Sequence, residues 1–175
     1  MVIKMEQAFV QVYTGNGKGK TTAALGLALR ASCGGLKVIM LQFMKGMEYA
    51  ELKAPQLLQN FTIEQHGGAC LVGKQPEDDD CRMARNGLER LGQALSSGEY
   101  DVVIADELNV ALSMGLLEVR DVLDVISRRN QRTELVITGR YAPPEIINIA
   151  DLVTVMTEVK HYYHQGVQAR DGIEK

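Results

Sequence analysis

Apolar and polar positions fall in blocks along this chain. Short, nearly all-apolar runs recur at Ala8–Val12 (A-F-V-Q-V), Lys37–Phe43 (K-V-I-M-L-Q-F), the stretch D-V-V-I-A-D-E at 101–107, Glu134–Thr138 and Leu152–Thr157. They are rich in β-formers and short, which predicts strands, with Lys37–Phe43 apolar enough to be buried on both faces and Glu134–Thr138 another buried one. Phe61–Gln65 is a further short strand. Between them lie segments with helical spacing. One opens at Lys20, runs to about Cys33 and stops at Gly34-Gly35, where left-handed backbone is easy. Its small residues suit close packing on a sheet. Another starts at Asp78-Asp79-Asp80 and repeats Ala84, Leu88, Leu91 and Leu95 on one face. A third, Leu117–Arg129, places Val119, Val122, Leu123 and Ile126 together, with acids first and Arg128-Arg129 last, matching the helix dipole. Glu48–Gln59 reads as a short helix broken or kinked near Pro55, and Pro143-Pro144 opens another. His66–Pro76 is glycine-rich and aperiodic, a loop expected near the ligand. The segment from Val159 to Lys175 is polar without a clear period. Strands alternating with helices imply an α/β domain whose parallel sheet is covered on both faces.

Composition bounds this picture. The chain has 175 residues, 46% hydrophobic and 23% charged, enough for one domain (residues 1–175) with a sizeable core. A net charge of −3 argues against a general nucleic-acid-binding surface. No apolar run reaches the ~20 residues that span a bilayer, and the first residues lack a signal-peptide layout. Cys33, Cys70 and Cys81 show no paired spacing, as expected of reduced thiols in the cytoplasm, and give no zinc framework.

The chemistry concentrates in Tyr13–Thr22, Y-T-G-N-G-K-G-K-T-T, between a strand and a helix. Glycines there let successive backbone N–H groups cradle an oligophosphate, and the helix N-terminus adds its positive end. Gly15, Asn16, Gly17, Lys18, Gly19, Lys20, Thr21 and Thr22 form the candidate cradle. Lys20 supplies charge and the Thr21 hydroxyl a ligand for Mg²⁺. Gly19-Lys20-Thr21 fits the phosphate-loop pattern, whereas its first glycine position holds Thr14 with Gly15 following. Before ligand binds, the Lys20 ammonium is expected to face solvent, so that its removal spares the fold. At 101–107 an apolar strand ends in two carboxylates, Asp106 and Glu107, the layout of a metal-holding acid in phosphate-loop proteins; spacing leaves open which of the two faces the metal. Gln42, Phe43 and Lys45 leave a strand's carboxyl end, where ligands gather in open α/β sheets. Arg140 stands at another such end and suits a phosphate contact. Asp78–Asp80 read as helix-start acids and not as a metal cluster. The fold class is therefore α/β, a P-loop NTPase (RecA-like) domain with a mostly parallel sheet and helices on both faces.

Four segments in order, T-G-N-G-K-G-K-T-T-A-A, A-D-E-L-N, I-T-G-R-Y-A-P-P-E-I-I-N-I-A-D-L-V-T and V-K-H-Y-Y-H-Q-G-V-Q-A-R-D-G-I-E, resemble the CobA/BtuR family of ATP:corrinoid adenosyltransferases. The resemblance covers nearly the whole chain, and its most specific parts are the loop with its extra lysine, Lys18, and the segment Val159–Glu174. It implies transfer of the 5′-deoxyadenosyl group of ATP to Co(I) of a corrinoid (cobalamin or cob(I)yrinic acid a,c-diamide), with release of triphosphate. Lys20 and Glu107 become the catalytic candidates, Thr21 with Asp106 or Glu107 the Mg²⁺ candidates, and Arg30 and Arg140 match arginines near the family's nucleotide site. A reduced flavoprotein donor, a homodimer, and ATP lying reversed in the loop are implied in the same way. The family's aromatic Phe-Thr-Trp stretch corresponds here to Gly67–Val72, which has no aromatic residue. His66, His161 and His164 read as hydrogen-bonded or surface histidines in preference to cobalt ligands. The alternatives are a P-loop ATPase or phosphotransferase, with ADP as product, and a non-catalytic nucleotide- or corrinoid-binding regulator.

Overall fold

The computed structural model describes residues 7–68 and 76–175. Six strands form one sheet: β1 (Val10–Thr14), β2 (Val38–Phe43), β3 (Phe61–His66), β4 (Val102–Asp106), β5 (Glu134–Thr138) and β6 (Leu152–Val155). Their order across the sheet is β3-β2-β4-β5-β1-β6, and every pairing is parallel. The helices are α1 (Lys20–Cys33), α2 (Ala54–Leu57), α3 (Asp78–Ser97), α4 (Leu108–Ser113), α5 (Val119–Ser127) and α6 (Pro144–Ile149). After β1 the chain crosses through α1 to β2, over the places that β5 and β4 fill. All carboxyl ends of the strands thus meet on one side.

Alternation along the strands divides the core into two layers. Val38 and Met40 of β2, Val102 and Ile104 of β4, and Val136 of β5 point to the α1 face. Ile39, Leu41 and Phe43, with Val103, Ala105, Leu135 and Ile137, point to the face that holds α3, α4, α5 and α6. On the first face the buried apolar residues of α1 are Ala24, Ala28 and Ala31, with Leu25 and Leu27 packed half-buried beside them, so its backbone lies close against the sheet. On the second face α3 buries Leu88, Leu91 and Leu95. Each such leucine contributes roughly 1.5–3 kcal/mol by removal from water.

Most expected elements appear, with three differences. Glu48–Gln59 is a 3₁₀ turn, Ala50–Lys53, continued by the single turn of α2 with Pro55 at its start. A proline is tolerated in the first helical turn, where its missing N–H costs nothing. The helix at Leu117–Arg129 is shorter, Val119–Ser127, but buries the expected Val122 and Ile126. α4 was not expected; it starts immediately after β4, where the backbone turns through Glu107 at φ 60°. The helix-start reading of Asp78–Asp80 holds. Glu77 caps α3, and its N–H donates to Asp80 Oδ2 at 2.9 Å in a reciprocal capping box. Among the described residues no group of three or more His, Cys, Asp or Glu side chains is placed to hold a metal. No helix there is long and apolar enough to cross a membrane.

Close approach of α1 makes its buried face intolerant of volume. Ala28→Leu is expected to cost about 1–3 kcal/mol by overpacking, read as a lower urea midpoint with an unchanged m-value; a midpoint equal to the parent's would refute the close packing.

Candidate active site

Four strands deliver the site. β1 ends at Thr14, and the loop Gly15–Gly19 then curls into the N-terminus of α1. Gly15 (φ 96°) and Gly19 (φ 117°) occupy left-handed backbone that disfavours side chains. A second constraint comes from outside the loop. A Cβ on Gly15 would lie 2.4 Å from the Met156 carbonyl oxygen, and one on Gly17 would lie 2.8 Å from it. The Gly17 N–H donates to that same oxygen at 2.7 Å, and the Met156 N–H to the Thr14 carbonyl at 2.8 Å. The chain leaving β6 therefore backs the loop.

The expectation for Lys20 is corrected. It is buried, and its Nζ donates to the carbonyls of Gly15 at 2.8 Å and Gly17 at 2.7 Å. Burial lowers its pKa, and Arg140 lowers it further, against the opposing pull of Glu107 and Asp106. The ammonium thus spans the loop from within, which closes it into a ring. Lys20→Ala removes structural bonds as well as charge.

Asp106, at the end of β4, is wholly buried. Its Oδ1 accepts from the Thr21 hydroxyl at 2.9 Å and from the Thr138 hydroxyl at 2.7 Å. Its Oδ2 meets Lys45 Nζ at 2.9 Å. The Thr138 hydroxyl in turn accepts from the Glu107 N–H at 3.0 Å. Glu107 sits in left-handed backbone, which turns its carboxylate out of the sheet and toward the loop. That carboxylate lines a cavity of about 240 Å³ with Gly17–Thr22, Arg140, His161, Ile173 and Glu174. Burial raises the Glu107 pKa, with the Asp106 charge adding to it, against Lys45, Lys20 and Arg140. Burial alone would lower the Lys45 pKa, but Asp106 and Glu51 outweigh it and hold it above its ordinary value.

The residues fit a hard divalent cation such as Mg²⁺. Thr21 and Glu107 offer hard oxygen donors in one cavity beside a phosphate cradle. Asp106 has both oxygens engaged by hydroxyls and an ammonium, so it orients Thr21 and is not itself open.

Arg140 follows Gly139 (φ 128°) at the end of β5 and lines this cavity. It also lines a larger neighbouring cleft, about 690 Å³, that includes Asn16, Tyr141, Met156 and Glu158. The smaller cavity is the phosphate candidate because it contains Lys20, Thr21 and Glu107. Arg30 is not brought there: it is exposed in the last turn of α1, roughly 15 Å along the helix from Lys20. Gln42 is buried and bonded to Glu51, and Phe43 packs in the core, so neither faces the cavity. In the Gly67–Val72 stretch, positions 69–72 lie outside the described residues.

The segment after β6 reaches the same cavity, which its lack of periodicity concealed. Glu174 ties it into a compact turn: it accepts from the Arg170 N–H at 2.9 Å and Nη2 at 3.1 Å, and from the Tyr162 hydroxyl. These bonds from Arg170 and then Tyr162 hold its pKa down at about 2. Lys18 Nζ approaches Glu174 at 3.9 Å and donates to the Ile173 carbonyl at 3.3 Å. On the far side Asp171 and Lys175 line a further cavity, about 320 Å³, with Tyr49 and Lys53, so the segment lies as a strap between the loop and the chain after β2. His161 accepts from the Tyr163 N–H, and His164 pairs with Glu158 at 2.6 Å, as hydrogen-bonded histidines.

A raised carboxylate pKa makes ionisation unfavourable in the folded state. The contribution of Glu107 to stability is full below its unfolded value near 4.5 and is lost as pH rises through its folded value. Glu107→Gln is therefore expected to raise the ligand-free Tm near pH 7 by about 2–4 °C, on the scale of ~1 kcal/mol, and to flatten this part of the pH profile. A fall in Tm would contradict the placement.

Comparison with known proteins agrees with this geometry. Residues 6–174 match the family described as ATP:corrinoid adenosyltransferase BtuR/CobO/CobP. A corrinoid adenosyltransferase of Pseudomonas aeruginosa is 34% identical over 171 residues, covering 97% of this chain and 84% of that protein. One from Escherichia coli K12 is 33% identical, covering 97% and 86%. The corrinoid adenosyltransferase CobA of Salmonella typhimurium is 33% identical with the same coverage, 97% and 86%. With a parallel α/β sheet, a phosphate loop and a match along nearly its whole length, the chain belongs to the ATP:corrinoid adenosyltransferase family.

Proposed function

We propose that this chain transfers the 5′-deoxyadenosyl group of ATP to the Co(I) centre of a corrinoid. The electron pair on cobalt attacks C5′ of the ribose. A cobalt–carbon bond forms, the C5′–O bond breaks, and its electrons leave with triphosphate. No protein nucleophile is needed. The chain must hold the phosphates, neutralise the leaving charge and keep water out. The loop N–H groups between Gly15 and Thr22, apart from that of Gly17, which is held by the Met156 carbonyl, would cradle the phosphates together with the N-terminus of α1. Lys20 would turn from the loop carbonyls to a phosphate, and Arg140 would meet the chain from the other wall. Thr21 and Glu107 would hold Mg²⁺, which supplies charge neutralisation at the triphosphate. Asp106 would keep Thr21 oriented through the hydroxyl bond. The strap of residues 159–175 would shield the cavity from water.

One observation carries this reading. The strap, the segment most particular to this family's resemblance, lines the same cavity as Lys20, Thr21 and Glu107. A generic ATPase reading gives it no task. The cytoplasm, a reduced flavoprotein donor that generates Co(I), and a homodimer complete the proposal.

The test is anaerobic incubation with ATP, Mg²⁺ and chemically reduced Co(I) cobalamin in dim light. Loss of Co(I) absorbance with one triphosphate per light-sensitive product is expected. ADP with phosphate would mean an ATPase, and binding without product a regulator. Lys20→Ala is expected to lower turnover by at least 100-fold, about 2.7 kcal/mol of transition-state stabilisation, and to destabilise the fold by about 1–2 kcal/mol through its lost carbonyl bonds. Parent-like turnover would remove the loop from the mechanism.

A further inference from the structure

We infer that Lys45 is a positioning residue of the metal–nucleotide site: its ammonium is the built-in counter-charge of Asp106, and it reserves that carboxylate for Thr21. The inference rests on the assignment of Thr21 and Glu107 to the metal. Lys45 itself is not among the residues that line the phosphate cavity.

The geometry fixes this ammonium from several sides. Met44, at φ 61°, turns the chain sharply after β2 and brings Lys45 back over the strand ends. Its Nζ lies 2.9 Å from Asp106 Oδ2 and 3.4 Å from Glu51 Oε1, with the Lys45 side chain 12% exposed and Asp106 0%. The Tyr49 ring covers it, 5.0 Å from Nζ to the centroid. Glu51 is held in its turn by Gln42 Nε2 at 3.0 Å, and Gln42 by Gln65 Nε2 at 3.2 Å. A part-buried chain of polar groups thus runs from Gln65 on β3 through Gln42 on β2, Glu51 and Lys45 to Asp106 on β4. Such an arrangement is costly to bury unless its members are bonded, and here Asp106 and Glu51 share the one Lys45 ammonium.

The consequence concerns which oxygen can take a metal. Thr21 gives its hydroxyl proton to Asp106 Oδ1. That leaves the lone pairs of Thr21 directed to the cavity. Oδ2 of Asp106 would compete for the same cation if it were free. Lys45 occupies Oδ2, so the open carboxylate of the pair is Glu107. Removal of Lys45 leaves a buried carboxylate with no counter-charge beside a cation site, and a divalent ion becomes its best partner.

The test uses Mn²⁺ as the probe, followed by electron paramagnetic resonance on the full chain without nucleotide, so that it reads no turnover. Lys45→Met is expected to bind Mn²⁺ at least tenfold more tightly than the parent. The double variant Lys45→Met/Asp106→Asn is expected to return to within threefold of the parent, because the effect runs through Asp106. Lys45→Arg is expected to behave as the parent. Should Lys45→Met fail to fold, Lys45→Gln removes the charge and keeps a donor, and the same tenfold gain is expected. Unchanged Mn²⁺ affinity in the single variant, or a gain that persists in the double variant, overturns the inference. Failure of the adenosyl-transfer assay in the parent with these Mn²⁺ results intact would overturn the proposed function and leave the role of Lys45 standing.

Discussion

The buried carboxylate of Asp106 is the point on which the rest of the site depends. Three bonds converge on it, from Thr21 at the start of α1, Thr138 on β5 and Lys45 after β2. A charge with no exposure to water needs such partners. In meeting that need it fixes the relative positions of four segments that are far apart in sequence. The same anchoring sets the turn at Glu107. Its N–H is held by Thr138, and its side chain is sent the other way, into the cavity. Two adjacent carboxylates thus take different tasks, one structural and one open, because the backbone between them enters left-handed conformation.

The loop contains a cation in its ring. Lys20 bonds the Gly15 and Gly17 carbonyls and so keeps their peptide planes turned inward. Arriving phosphate would compete with those carbonyls and not with bulk water alone. The depressed Lys20 and elevated Glu107 pKa values describe the same condition from opposite signs. Both charges are poorly solvated, and each gains when a polyanion with its metal enters.

The strands and the loop were legible because their signals are local. Val38–Leu41 and Val102–Ala105 are apolar without interruption, and Gly19-Lys20-Thr21 has a fixed spacing. The choice between Asp106 and Glu107 was not legible, because it turns on one φ angle that no spacing encodes. Lys45 was marked only by its place at a strand end. Its pairing depends on Met44's turn and on Glu51, six residues on, folding back. Burial of Lys20 is not legible from the loop pattern, because it depends on a long side chain bonding its own loop. Arg30 was assigned by family resemblance, and helix geometry carries it away from the loop. The 159–175 strap has no period because it packs through Glu174, Arg170 and Tyr162 and not through an apolar face.

Met156 gives β6 a significance that its open position hides. β6 is an edge strand, and its side chains are largely exposed. Yet the residue after it presses its carbonyl onto Gly15 and Gly17, with no side chain between to cushion the contact. The aperture of the loop is therefore geared to the edge of the sheet. A displacement of that edge by a few tenths of an ångström reaches the phosphate-binding N–H groups almost undamped. The glycines that make the loop fit a polyanion also make it a mechanical follower of the strand behind it.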